Sequence, residues 1–527
     1  MKQIQQEHYS GKREEYQLVI PLELGVKIGE DEPVRLLSRV MEEMDYSKLK
    51  AACSYWGRKG KATPRHLAKV TIFGYMNGTT STRDVEEACR YDLRYQWLLE
   101  GRPVPDHNTI ARFRSGKLVE VLEDLFYQFV RKLHDLGEIG YENVYVDGTK
   151  IEAYANKYDF VFRKAVMKNE EKLNRKVDLF IGYIQREYDP FFSADATLED
   201  IRQLLLGKHQ KEGIVFVKGK GNHKTKLQQD METLEEMYVR QLKYDEYNDV
   251  FKGRNSFSKG DHDATYMHMK EDAMRNGQLK PGYNVQLGVE AEYVVGVDVG
   301  PERNDLNTLI PLLERMEKGI GQRYENLIAD AGYENEENYE YLKASGQVSY
   351  IKPQNYEKSK TRRWQTNGYL IENMPYDAQT DTYTCPGGHI MRPVGLQHSS
   401  SKTGYVSEIT VYEGAGCQGC PLKGKCTHAK GNRKLSVSKR MKELRAESLA
   451  NITSPKGIIL RINRSIQSEG MYGNLKENLG FRRFRMRGAR KVFTEVLLYA
   501  MACNMNKLYN KIRQDRTGVM LHVKNVS

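Results

Sequence analysis

The period of the hydrophobic residues changes at Glu142, and that change restricts the chain to a mixed fold. Before it, apolar residues recur every three or four positions. Val85, Ala88, Cys89 and Leu93 form one such series. Leu118, Leu122, Leu125, Phe126, Phe129 and Leu133 form another, on one helical stripe closed by Gly137. After it, NVYVDGTKIEA alternates, which sends successive side chains to opposite faces and reads as a strand over 144–146 ending at Asp147. Strand and helix patterns then take turns. Residues 282–300 read as a hairpin about Ala291–Glu292, and DLNTLIPLLERMEKG (305–319) reads as a helix closed by glycine. ENLIADAGY gives a buried strand ending at Asp330, a helix is expected over 334–344, and a strand over 348–351 stops before Pro353.

Four segments follow. Residues 1–136 are expected to be helical, with Ser81 and Asp84 forming one N-terminal cap and Asp106 and Asn108 offering another. Short helices joined by tight turns suit a helix-turn-helix reader of DNA or a plain packing and dimerisation domain. Residues 137–375 begin an α/β core, interrupted between two adjacent strands by a polar, helical insertion at about 155–280 that carries the basic stretch 218–226. Residues 376–430, rich in Gly, Thr and Ser, read as a loop-and-hairpin module, and 431–527 as a helical part that completes the core.

Composition narrows the function. The 527 residues are 39% hydrophobic and 29% charged, and the longest apolar run, 496–503, is eight residues, short of the ~18 that a membrane span needs. The amino terminus lacks the apolar stretch of a secretory signal, so a cytoplasmic protein is expected. Lysine and arginine number 82 against 70 acids, a formal charge of +12, which favours an anionic partner such as nucleic acid.

Three constellations carry chemistry. Asp147 and Asp330 each end an apolar strand beside a glycine, where catalytic groups of open α/β sheets gather, and two such carboxylates suit hard divalent cations. Asp298 also follows a strand-like run and competes with Asp330. Glu469 stands in a basic helix: residues 454–491 hold ten Lys/Arg against two Glu, a net of +8. Seven residues on, about two turns, Lys476 shares its face. Arg482, Arg483, Arg485, Arg487 and Arg490 follow, interleaved with Phe481 and Phe484, and suit phosphate contacts. Third, Cys385, Cys417, Cys420 and Cys426 cluster with a two-residue knuckle spacing, enough thiolates to close a tetrahedral structural Zn²⁺ site, with His389, His398 or His428 as possible replacements. Cys53, Cys89 and Cys503 read as buried small side chains.

These segments together resemble a DDE transposase of bacterial insertion sequences, in the branch with an InsH-like N-terminal domain. The resemblance rests on STRDVEEACRYDLRYQWLLEG with PDHNTIARFR, VDGTKIEA, ADAGY, and RSIQSEGMYGNLK with FRRFRMRG. It implies a ribonuclease H-like mixed sheet, with Asp147, Asp330 and Glu469 as a catalytic triad holding two Mg²⁺ or Mn²⁺ ions. It also implies a Cys-rich module between the second Asp and the Glu. Many relatives carry a Tyr and an Arg ahead of the Glu and Lys; Ile462 and Ser465 stand there instead, leaving Arg461 or Arg464 as substitutes. The expected activity is binding of the element's terminal inverted repeats, phosphodiester cleavage, and transfer of the freed 3′-hydroxyl to target DNA by a homodimer. A captured, catalytically silent DNA-binding protein and a stand-alone metal-dependent endonuclease are the alternatives.

Overall fold

The computed structural model describes residues 24–53, 62–217, 223–269 and 278–519, so the basic stretch 218–226 lies partly outside the described residues. The amino-terminal region is helical, as its periodicity requires. Its central helix, Pro64–Met76, is buried along almost its whole length and starts at Thr63, whose hydroxyl accepts from the His66 amide. Burial catches Lys69, whose ammonium is held by Glu42, by Glu100 at 3.1 Å and by the Ser38 hydroxyl at 3.2 Å. A buried lysine is tolerated only with such compensation. Asp106 caps His107–Ser115 through the Thr109 amide, with Asn108 inside that helix. Ser81 makes no capping bond to Thr82–Tyr91, contrary to the expected cap.

The central sheet is mixed and six-stranded. Its members are β1 (Asn143–Glu152), β4 (Thr265–His268), β5 (Leu279–Glu290), β6 (Tyr293–Gly300), β7 (Asn326–Ala329) and β8 (Val348–Ile351), while β2 (Phe160–Phe162) and β3 (Ser256–Ser258) form a separate ribbon. The order is β4–β5–β1–β7–β8, with β6 also on β5. β1 is antiparallel to β5 and parallel to β7, and β7 is parallel to β8. The 291–292 hairpin forms as expected, with both turn residues at positive φ, 48° and 61°. That geometry suits the twist of a two-residue hairpin but is strained for residues other than glycine.

Two boundaries differ from the sequence expectation. β1 does not stop at Asp147 but continues to Glu152, because β5 pairs with it as far as Gly282. The helix expected from residue 305 starts at Leu309, since Asp305 closes a turn by accepting from the Thr308 amide and hydroxyl.

The insertion between β1 and β5 contains three helices, Arg163–Glu187, Leu198–Glu212 and Lys226–Phe251. Phe180, Ile184, Ile201, Leu205 and Leu234 give this arm its own apolar core. The Cys-rich segment is more ordered than a loop-and-hairpin module. It forms a five-stranded antiparallel sheet of β9 (Tyr376–Asp377), β10 (Thr382–Thr384), β11 (Ile390–Ser400), β12 (Val406–Gly414) and β13 (Lys434–Val437). Met374, Tyr383, Met391, Tyr412, Leu435 and Val437 pack beneath it.

The last long helix, Ala489–Arg513, joins the two halves. It packs on β6 and on the amino-terminal helices Pro64–Met76 and Lys117–Asp135. The apolar run 496–503 is its interior, with every residue at most 3% exposed. Asn504 completes the open edge of β6 by bonding both the amide (2.8 Å) and the carbonyl (2.7 Å) of Val294. No helix among the described residues is long and apolar enough to cross a membrane.

Leu498 lies fully buried in this helix. Leu498→Ala is expected to cost about 2–5 kcal/mol through lost contacts and a residual cavity. A urea titration followed by tryptophan fluorescence should show an earlier midpoint; an unchanged midpoint would contradict a shared core.

Candidate active site

The register of the sheet brings the first two acids together. The last parallel pair between β1 and β7 is Val146–Ala329, so Asp147 and Asp330 are the next residues on neighbouring strands. β7 ends there while β1 continues, which leaves Asp147 beside an edge opened by the departing strand. Asp147 Oδ1 accepts from the Gly148 amide at 2.9 Å, and its side chain is 16% exposed. Asp330 starts a tight turn, and its Oδ1 accepts from the Gly332 amide at 2.7 Å.

The third acid arrives on a distorted helix. Pro455–Arg464 runs into a π-helical segment, Ser465–Glu469, then a short α turn, Gly470–Gly473, and a second π segment, Asn474–Asn478. Such wide turns inside helices recur at functional sites, and they break the rule that seven residues make two turns. Lys476 lies half-buried in the second of them. Glu469 is the more solvent-facing carboxylate, with its side chain 66% exposed. Arg464 stands between the acids, its guanidinium 3.8 Å from Asp147 and 4.0 Å from Glu469.

Tyr472, which the sequence reading passed over, fixes this helix to the sheet. Its hydroxyl donates to the backbone carbonyls of Asp147 (2.7 Å) and Val285 (3.1 Å). Burial pushes its phenol well above the ordinary tyrosine range, reinforced by the charges of Asp147 and Asp305. Gln467 adds a second tie by accepting from the Glu292 amide in the strained hairpin. The one available signal was spacing: Tyr472 is three residues after Glu469, one turn on.

Asp298 has another task. It pairs with Arg315 at 3.2 Å, and the same guanidinium reaches Glu123 of the long amino-terminal helix at 2.9 Å. Burial raises the Asp298 carboxyl above its usual range despite that pairing.

The basic follow-on is anchored by its aromatics. Phe481 and Phe484 are 0% and 1% exposed, so these interleaved rings are core residues rather than stacking platforms. The arginines between them face outward. Arg483 and Arg487 flank the exposed ring of Tyr154, at 5.5 and 4.8 Å from its centroid. With Lys157 and Lys280 they line a groove of about 570 Å³. Buried Glu495 holds this loop by accepting from the amides of Arg485 and Met486. Arg482 pairs with Glu477 at 2.5 Å, and Arg490 with Glu120 at 2.8 Å. Arg461 turns away from the acids, bonding the Ile452 carbonyl at 3.0 Å and covering Tyr356.

Among the described residues, no three His, Cys, Asp or Glu side chains form a group able to hold a metal ion. The expected closed zinc site is therefore not supported. Cys385, Cys417, Cys420 and Cys426 are unpaired thiols, and Arg433 donates to two of them, from its amide to Cys417 Sγ (3.4 Å) and from its guanidinium to Cys426 Sγ (3.1 Å). The apolar core beneath the five strands orders the module that had been expected to need a cross-link. Asp147 and Asp330 do fit a hard cation in donor type and adjacency, with oxygen donors at the next positions on neighbouring parallel strands.

Two family models match the chain. Residues 22–116, in the helical region, match a transposase domain (DUF772), and residues 384–509, which include the helix of Glu469, match a transposase DDE domain. No curated protein matches the chain.

Tyr472→Phe removes one donor that serves two carbonyls. It should lower stability by about 0.5–1.5 kcal/mol, read as an earlier denaturation midpoint. A shift in the Asp147 and Val285 amide resonances should accompany it; unchanged resonances would show that the hydroxyl does not hold the strand.

Proposed function

We propose, from the premise that the chain is a DDE transposase, that it binds the ends of its own insertion sequence, cuts them and joins the freed 3′-hydroxyl to target DNA. The observation that carries this reading is the adjacency of Asp147 and Asp330 on parallel strands, with the Glu469 helix held against Asp147 by Tyr472. The arrangement of a long central strand, antiparallel on one side and parallel on the other, supports a ribonuclease H-like core.

A phosphodiester repels an anionic nucleophile, so the centre has to offset charge on both the attacking and leaving oxygens. Asp147, Asp330 and Glu469 would hold divalent cations, Mg²⁺ or Mn²⁺, which supply that charge and lower the pKa of bound water. The remaining work falls to the chain itself. Tyr472 and Gln467 fix the approach of the glutamate helix, and the amides of Gly148 and Gly332 hold the two aspartate carboxylates. Arg464, already poised between Asp147 and Glu469, is placed to meet a phosphate oxygen once those carboxylates are neutralised. Arg482, Arg483, Arg485, Arg487 and Arg490, with Lys476, would carry the phosphate backbone past the centre. The amino-terminal helices would read the end sequence. Joining two ends in one event calls for two copies of the chain.

The test is incubation of the purified protein with Mg²⁺ and a plasmid carrying the gene in its native flanks, with ends mapped to the nucleotide. Cleavage at fixed flanking positions, reduced about a hundred- to a thousandfold in Asp147→Ala and Glu469→Ala, is the expected result, given an electrostatic centre worth roughly 3–4 kcal/mol. Joined products would separate a transposase from a nuclease. Flank binding without cleavage would point to a silent DNA-binding protein, and cleavage surviving both substitutions would sink the assignment of the acids.

Phosphate contacts by the basic loop predict a salt signature. Replacing Arg485 by alanine should weaken binding to all sequences alike and reduce the slope of log affinity against log salt by about one. A fluorescence anisotropy series across salt concentrations measures this, and an unchanged slope would remove Arg485 from the contact surface.

A further inference from the structure

Asp305 follows β6 and closes the turn before the helix Leu309–Ile320. Its Oδ1 accepts from Asn284 Nδ2 at 2.7 Å and Gln286 Nε2 at 3.0 Å, two amides projecting from β5. The other end of the Gln286 amide accepts from the buried Tyr333 hydroxyl, so its orientation is fixed. Two glycines make room for this carboxylate. A Cβ on Gly148 would lie 2.7 Å from Asp305 Oδ1. A Cβ on Gly332 would lie 3.3 Å from Asp305 Oδ2 and 2.9 Å from Asp330 Oδ1. The acid thus lies against the two glycines that neighbour Asp147 and Asp330, where a Cβ would crowd it.

The surroundings register its charge. Tyr333 is fully buried and its phenol stands well above the ordinary range, first through burial and then through Asp305, with Asp147 and Asp330 contributing. The charges of three carboxylates thus act on one buried hydroxyl. Such a concentration of negative charge costs stability unless something positive meets it. Asp305 Oδ1 is already engaged by two side-chain amides, which leaves the charge of this third carboxylate, rather than that oxygen, to act on the pair.

We infer that Asp305 is a positioning residue of the cutting centre, whose fixed negative charge raises the affinity of the Asp147–Asp330 pair for a divalent cation without supplying a ligand oxygen. The inference rests on the proposed reading of those two aspartates as metal-holding groups. Residues outside a metal's own ligand set commonly change its affinity by 10–100-fold. Asparagine at 305 keeps an oxygen for both amides and removes the charge, which separates field from architecture.

The experiment is calorimetric titration of Ca²⁺ and of Mn²⁺ into the full-length protein without DNA, with thermal melts alongside. The relevant binding event is the one lost in Asp147→Asn. Asp305→Asn should weaken it about tenfold with an unchanged melting temperature, and Asp305→Glu, which keeps the charge, should retain most of the affinity. Asp305→Asn binding as tightly as the unsubstituted protein overturns the inference while leaving the metal reading intact. An equal loss in Asp305→Glu also overturns it, since geometry rather than charge would then decide; this comparison stands even if Asp305→Asn fails to fold. An unsubstituted protein that binds neither cation overturns the reading of Asp147 and Asp330 themselves.

Discussion

Burial of the 496–503 run between the sheet and the amino-terminal helices is the contact on which the rest of the architecture depends. The helix that carries it covers β6, fills the groove left by Pro64–Met76 and Lys117–Asp135, and completes the edge of β6 through Asn504. It also presents Glu495, which holds the basic loop by two amides. The loop in turn follows directly on the helix of Glu469. One apolar surface therefore sets the position of the amino-terminal region, the sheet edge and the arginines together. At ~25 cal/mol per Å² of apolar area, such a surface outweighs the polar ties that decorate it.

Near the buried Tyr333 the fold also gathers the charges of Asp147, Asp305 and Asp330. Carboxylates gathered in a partly desolvated place are unstable unless rigid dipoles or cations oppose them. The fold meets the requirement in several ways at once: backbone amides of Gly148 and Gly332, side-chain amides of Asn284 and Gln286, and the guanidinium of Arg464. The tyrosines near them act differently. Tyr472 bonds carbonyls and Tyr333 bonds an amide oxygen, so each orders backbone or side chain without neutralising an acid. The two π segments give the glutamate helix the irregular path by which Tyr472 reaches the sheet while Glu469 stays exposed.

Much of the core could be read directly from the chain. Alternation at β1, the two-residue turn at 291–292, the buried run of β7 and the stripe of Lys117–Asp135 all have short, local periods. Where the reading went astray, the deciding partner was distant. β1 extends past Asp147 because β5, separated from it by the whole insertion, continues to pair. The Cys-rich segment is a sheet because Tyr383, Met391 and Tyr412 meet across strands, and two of its thiols, Cys417 and Cys426, accept from Arg433. Phe481 and Phe484, legible only as interleaved with the arginines, are inserted into the core.

The sequence by itself determined the helical amino-terminal region and the alternation of strands and helices in the core, because period and turn preference act over a few positions. It also marked Asp147, Asp330 and Glu469 as a set through motif order. Only the tertiary structure decided that Asp147 and Asp330 are register neighbours, that Arg464 and Tyr472 connect the helix of Glu469 to Asp147, and that Asp305 lies against Gly148 and Gly332. Those relations span from tens to hundreds of residues. No local pattern encodes them; they follow from strand register and from the one buried helix that holds the parts together.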